Sequence, residues 1–235
     1  MKIMKKCIEI SGLGKTYYGK DGNKTIICKN LNLTIERGKI YSIIGNSGCG
    51  KSTLINMIGG FEKYEEGKII YDQLNGERVG IVFQDNVLFP WKTIMGNMLL
   101  ACKGMYSDPE KVIVEELDKI GLKNIANSYP NELSGGMQQR VALLRVLLTK
   151  PSIVILDEAF GALDYKTRVQ MQDYFMKCHR EYGFTAIIVT HDLLEACKLG
   201  DVIWTLRNRP IECKEIEVKG EDVSQDFIGR IAECL

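Results

Sequence analysis

The stretch IYSIIGNSGCGKSTLINMI, residues 40–58, constrains the fold more than any other. IYSII (40–44) is a continuous apolar run, the pattern of a strand buried on both faces of a parallel sheet. GNSGCGKST (45–53) follows it and fits GxxxxGK[ST], and a helix is predicted from about 51 to 58. Strand, glycine loop and helix in this order make a phosphate cradle. The glycines let backbone N–H groups wrap phosphate oxygens, and the helix N-terminus adds a favourable dipole. Lys51 is then placed to reach the β- and γ-phosphates of a nucleotide and Ser52 to reach a Mg²⁺ ion. Gly45, Asn46, Ser47, Gly48, Cys49, Gly50 and Thr53 supply the rest of the cradle.

The remainder of the chain reads as segments that change type. Residues 7–10, 24–28 and 31–35 read as short strands, with Leu31, Leu33 and Ile35 alternating. IIY (69–71) and VGIVF (79–83) read as strands, and the segment between Gly67 and Val79 is short and irregular. From about 93 to 148 the pattern turns helical. Pro109 suits a first turn, with Ile113, Leu117 and Ile120 on one face; Met137, Val141, Leu144 and Leu148 repeat that spacing. After Pro151, strands IVIL (153–156), AIIV (186–189) and VIWTL (202–206) alternate with helices at about 166–181 and 192–199. This βαβ alternation predicts a parallel sheet interrupted by a helical insertion.

Two further stretches carry chemistry. IVILDE (153–158) ends an apolar strand in two carboxylates, at the strand end where α/β sheets bind ligands. Side chains alternate along a strand, so Asp157 and Glu158 point differently. Asp157 suits the Mg²⁺ shell, and Glu158 suits holding an attacking water. LSGGMQQR (133–140) reads as a cap serine, two glycines and a helix, a second anion site in a chain whose nucleotide needs one cradle. His191 and Gln84 each follow an apolar strand; on position alone His191 is as compatible with a core or surface role as with a catalytic one, and a lone glutamine is more often structural. Tyr17 and Tyr18 precede the loop region, where an aromatic could stack on adenine but is more often core.

Composition bounds the class. A net charge of +1 argues against a nucleic-acid partner. Eight cysteines without CxxC spacing argue against a zinc site and read as free thiols in a reducing cytosol. Cys49 lies among the loop amides, where alkylation is expected to inhibit and nucleotide to protect. MKIMKKCIEISG has no apolar leader region, and no run approaches the length of a spanning helix; VALLRVLL (141–148) is interrupted by Arg145.

These residues together resemble the ATP-binding-cassette ATPases over nearly the whole chain. GNSGCGKST resembles the Walker A motif, IVILDE Walker B, LSGGMQQR the family signature, Gln84 the Q-loop, GALD (161–164) the D-loop and His191 the switch histidine. Tyr17, two residues after Lys15, resembles the adenine-stacking aromatic. The resemblance implies an α/β P-loop NTPase (RecA-like) core with a mainly parallel sheet, an antiparallel β subdomain and an inserted α-helical subdomain. The core would take about 1–84 and 151–235, and the helical piece about 85–150. It implies ATP and Mg²⁺ as ligands, with Ser52, Gln84 and Asp157 around the metal. It also implies a second ATPase subunit, most simply an identical one, paired head to tail. Ser134, Gly135 and Gly136 of one copy would then meet the γ-phosphate held by the other's Lys51.

VFQDNVLFPWKTIMGN (82–97) resembles the Q-loop region of importers for nitrate, taurine and aliphatic sulfonates. That resemblance implies a subunit on the cytoplasmic face of a membrane, docked on a separate permease and served indirectly by an extracytoplasmic substrate-binding protein. Trp91 and Pro90 would form a rigid apolar knob for the permease, or else Trp91 packs within the helical piece. Ala159 stands where the subfamily has proline, and ALLRVLL where small residues are commoner. A soluble assembly ATPase of the same type and an exporter subunit stay open as alternatives.

Overall fold

The computed structural model describes residues 6–20, 22–72, 79–85, 87–218 and 224–235. The first five residues of the N-terminal stretch, and most of the irregular stretch between Gly67 and Val79, lie outside the described residues. The chain divides into two compact units, Met1–Glu77 with Thr185–Leu235, and Arg78–Phe184.

In the first unit, β1 (Lys6–Tyr18) pairs antiparallel with β2 (Lys24–Glu36) on one side and β4 (Glu66–Tyr71) on the other. Both β1 and β2 are longer than the short strands expected from the pattern. Gly12 and Gly14 in β1 and Asn30 in β2 read as breaks, but the structure accommodates them as register shifts, with φ of 63° at Gly12 and 52° at Asn30. A bulge absorbs the extra residue and keeps the ladder going.

The same unit holds β3 (Ile40–Gly45), flanked in parallel by β7 (Thr185–Val189) and β8 (Val202–Arg207). Every residue of β3 except Gly45 is buried, as the unbroken apolar run requires. Helix α1 (Lys51–Ile58) leaves the end of β3 through the glycine loop, and α6 (Leu193–Leu199) follows β7. Two elements were missed in the pattern. β9 (Glu212–Glu217) adds an antiparallel edge to β8, and α7 (Gln225–Ala232) follows it. Phe227 and Ile231 of α7 are buried in a cluster with Ile44, Ala196, Ile203 and Val218. Burying such side chains stabilises by roughly 1.5–3 kcal/mol each, enough to hold a helix of two turns that would not stand alone.

In the second unit, β5 (Val79–Val82) and β6 (Ile153–Asp157) are parallel neighbours. Between them in sequence run α2 (Ile94–Ala101), α3 (Pro109–Lys119), a 3₁₀ turn at Pro130–Glu132 and α4 (Gly135–Leu148). Thr93, Asp108 and Ser134 accept the first-turn backbone N–H of their helices, so each start is set by its own cap. Helix α5 (Tyr165–Tyr182) starts on the Asp164 cap and stops at Gly183, whose φ of 67° suits glycine. Phe160, Phe175 and Phe184 stack through this unit, with centroids 6.3 and 5.5 Å apart. Among the described residues no helix is long and apolar enough to cross a membrane.

Candidate functional site: a phosphate loop, a carboxylate strand end and a capped helix tip

The loop Gly45–Thr53 in the first unit can be built only from this pattern of glycines. Gly48 (φ 78°) and Gly50 (φ 114°) take left-handed backbone. A Cβ on Gly45 would collide with the Leu206 carbonyl and lie 3.0 Å from Cys49 Sγ. Gly50 caps α1 without any side-chain hydrogen bond, and no acid stands in the first turn. The first-turn amides thus have no side-chain acceptor and favour an outside anion. The ammonium of Lys51 lies across the loop, donating to the carbonyls of Gly45 (2.7 Å) and Asn46 (3.1 Å). Ser52 is exposed beside it. A glycine backbone in left-handed turns, an ammonium across it and an exposed serine hydroxyl fit a polyphosphate with its divalent cation. Cys49 is buried, 6% exposed, so a thiol reagent has little access to it. Two loop partners had no sequence signal: Arg209 Nε donates to the Gly48 carbonyl at 2.5 Å, and Asn46 Nδ2 to the Leu235 carbonyl at 3.2 Å.

Tyr17 is the last residue but one of β1 and is 40% exposed, with Lys15 Nζ 4.8 Å from its ring centroid. Lys15 itself is buried and bonded to Glu62 (2.8 Å), Glu65 (3.2 Å) and the Lys63 carbonyl (2.7 Å). Burial pulls the Lys15 ammonium down, but the two glutamates outweigh it and hold its pKa above the ordinary lysine value. Burial likewise pushes Glu65 up, yet the Thr16 N–H and Lys15 hold it below the usual carboxylate range. The aromatic is thereby fixed from below by an ion cluster. His191, also in this unit, is exposed between β7 and α6. Its neighbours are tied down: Asp192 caps α6 through Leu194 N (2.9 Å) and Glu195 N (3.2 Å), and donates its own N–H to Thr190 Oγ1.

In the second unit, Asp157 is buried at the end of β6 and Glu158 follows in left-handed backbone, φ 49°. Gln84 Nε2 donates to Glu158 Oε2 at 3.2 Å, so two residues singled out separately in the sequence meet here. Gln139 Nε2 donates to the Glu158 carbonyl at 3.2 Å, a contact that no motif reading foresaw.

Ser134 caps α4 in the same unit by accepting from Met137 N at 3.3 Å. Ser134 and Gly135 are exposed, and a Cβ on Gly135 would meet nothing within 4 Å. Gly136 differs: a Cβ there would lie 3.3 Å from Leu163 and 3.6 Å from the Ala162 carbonyl. The signature turn therefore rests on the GALD turn. Gln138 fixes it from behind by donating to the Pro130 (2.8 Å) and Leu133 (3.2 Å) carbonyls. The helix tip is a rigid, open, uncharged N-terminus with one hydroxyl.

Trp91 is 71% exposed, its ring 5.5 Å from Phe89, so it does not pack into the helical segment. The fully buried Asn97 holds the loop under it. Its Oδ1 accepts from Phe89 N (2.8 Å), and its Nδ2 donates to the carbonyls of Phe89, Lys92 and Thr93 at 3.0–3.2 Å. Ala159, at the position of the missing proline, is buried beside Phe160.

Residues 28–161 match the protein-family model described as ABC transporter. The chain is 41% identical over 215 residues to the bicarbonate transport ATP-binding protein CmpC of Synechocystis sp., covering 86% of this chain and 32% of that protein. It is 42% identical over 213 residues to the nitrate import ATP-binding protein NrtC of the same organism, again covering 86% and 32%. With the aliphatic sulfonates import ATP-binding protein SsuB 1 of Burkholderia cenocepacia it shares 40% over 198 residues, 83% of this chain and 60% of that one. The chain thus spans about a third of the length of the two cyanobacterial relatives. The dimeric ATP-binding cassette MJ0796, solved in a post-hydrolysis state with ADP and Pi, superposes with a TM-score of 0.80 at 33% identity, covering 91% of this chain and all of that one.

Proposed function

Since this chain belongs to the ABC transporter family, we propose that it is the ATP-binding and ATP-hydrolysing subunit of an importer, energising uptake of a small molecule through a separate membrane permease. The cargo class is that of nitrate, sulfonates and taurine. Names of relatives support this: they are described as import or transport ATP-binding proteins for nitrate, bicarbonate and aliphatic sulfonates. The observation that carries the nucleotide reading is the Gly45–Thr53 loop, with Gly48 and Gly50 in left-handed backbone and the Lys51 ammonium folded across it.

In this reading Lys51 exchanges the Gly45 and Asn46 carbonyls for the β- and γ-phosphates of ATP. The loop amides from Gly45 to Thr53 wrap the same phosphates, and Tyr17 stacks on the adenine. Ser52, Gln84 and Asp157 are the residues that would hold a Mg²⁺ ion, which would supply neutralising charge to the phosphates. Glu158 holds and polarises the attacking water, and its hydrogen bond from Gln84 keeps the carboxylate directed until then. His191 takes a hydrogen bond to the γ-phosphate. The helix tip Ser134–Gly136 serves the nucleotide of a second copy, so that ATP bridges two subunits and hydrolysis releases them. Bridging gives the ligand the differential affinity that a conformational change needs. Trp91, held out by Asn97, offers an apolar knob to the permease at the cytoplasmic face of the membrane, where an extracytoplasmic binding protein delivers the cargo to the other side.

Glu158→Gln tests the catalytic assignment. Turnover is expected to fall by about 10²–10⁴-fold, while ATP still binds and dimers accumulate. Wild-type turnover in that variant would remove Glu158 from the chemistry.

A further inference from the structure

Gln139 lies on α4, five residues beyond the Ser134 cap, and is 3% exposed. Its Nε2 donates to the Glu158 carbonyl, while its Oε1 has no hydrogen-bond partner among the described residues. The same carbonyl already accepts from Gly161 N at 3.0 Å, so it does not need Gln139 to be satisfied. A buried amide with an unpaired oxygen is a poor way to stabilise a fold, and an apolar side chain of equal length would serve the core as well or better.

The carbonyl that Gln139 grips belongs to one of the few non-glycine residues with positive φ among the described residues. Left-handed backbone is unfavourable for a residue with a Cβ and persists only where the surroundings hold it. Gly161 N and Gln139 Nε2 together pin the Glu158 carbonyl from two sides, which fixes its peptide plane and the start of its side chain more tightly than the Gly161 bond alone. An apolar side chain cannot do this.

We propose that Gln139 is a positioning residue for Glu158, holding the left-handed turn that aims the carboxylate at the attacking water. The proposal rests on the assignment of Glu158 made above. It gives α4 two roles. Ser134 stands about 7.5 Å down the same helix axis, so the helix that offers its tip to a second copy's phosphate also grips the strand end that carries its own chain's carboxylate.

The test uses Gln139→Met in the full chain, with Gln139→Leu as a second apolar variant. Expected are an unchanged or raised melting temperature, unchanged equilibrium affinity for ATP and unchanged KM, with kcat lowered about 10–100-fold, the scale of a misplaced catalytic group. In the Glu158→Gln background the same substitution is expected to cost nothing further, because residues that act as a unit are not additive. Wild-type kcat in both variants overturns the proposal. So does a loss of kcat that tracks a fall in melting temperature, or one that multiplies with Glu158→Gln. If Glu158→Gln alone keeps full turnover, the premise fails instead, and the proposal fails with it for that separate and visible reason.

Discussion

Gly45 illustrates how single residues set this molecule's chemistry. It ends a buried strand, has ordinary φ, and tolerates no Cβ because the Leu206 carbonyl of β8 occupies the place. Gly45→Ala is expected to destabilise by about 1–3 kcal/mol, the usual cost of overpacking, and to weaken ATP binding with it, since the shift falls on the first turn of the loop. Thermal denaturation and nucleotide titration of the same preparation check both. Normal affinity in a destabilised protein would show that the loop does not depend on this contact. At this scale the sequence was informative where chemistry is local. The loop glycines, Lys51, Asp157, Glu158 and Ser134 announce themselves by residue type and spacing. Gln139 and Asn97 do not, because a buried amide is recognised only by its partners: Glu158, on another element, for the one, and backbone groups of the irregular Phe89–Thr93 loop for the other. Arg209 escaped notice for the same reason, meeting Gly48 across 161 positions.

Elements were legible in proportion to how much their pattern depends on local rules. α1, α3 and α4 carry their periodicity and caps within themselves, and the parallel strands β3, β6, β7 and β8 are nearly pure apolar runs. β1 and β2 were read too short because Gly12, Gly14 and Asn30 look like terminators, whereas a paired neighbour lets a strand carry them as bulges. β9 is an edge strand rich in charge, with no signal until β8 supplies its other side; α7 does carry a Ser224 cap and Phe227 and Ile231 on one face, a signal missed because the helix is short. The loop between β5 and α2 is an element of its own, kept in shape by one side chain. Asn97→Ala removes the partner of the half-buried Phe89 N–H and Lys92 carbonyl, while the Phe89 and Thr93 carbonyls keep the backbone donors Lys92 N and Asn97 N. The expected cost is about 1–3 kcal/mol per group left unpaired, tempered by relaxation. Urea denaturation measures it, and an unchanged midpoint would mean that the loop holds its shape without the amide. Trp91 then loses its fixed direction, so transport in a reconstituted permease complex should fall while ATP hydrolysis by the isolated subunit stays near wild type.

For the molecule as a whole, the informative feature is a mismatch. Among the described residues there is one glycine-rich phosphate loop, and a further helix start, at Ser134, is exposed, has no acid in its first turn and is backed by Gln138 and the GALD turn. Within its own chain such a tip caps a helix and needs no anion partner. The proposed pairing gives it one: each ATP is enclosed by the loop of one copy and the tip of another, and neither copy is complete alone. The dimeric arrangement of the cassette MJ0796, which this chain matches over that protein's full length, supports the reading.

Complementation measures this most directly. Lys51→Ala removes the ammonium from the loop. Ser134→Asp keeps a good helix cap but sets a negative charge against the phosphate. Each variant alone is expected to be nearly inactive. Mixed in equal amounts, they form some dimers in which the intact loop of one faces the intact tip of the other, and turnover is expected to rise well above the sum of the two. Near-wild-type turnover by Ser134→Asp alone, or a mixture no more active than its components, would contradict a pocket shared between two copies.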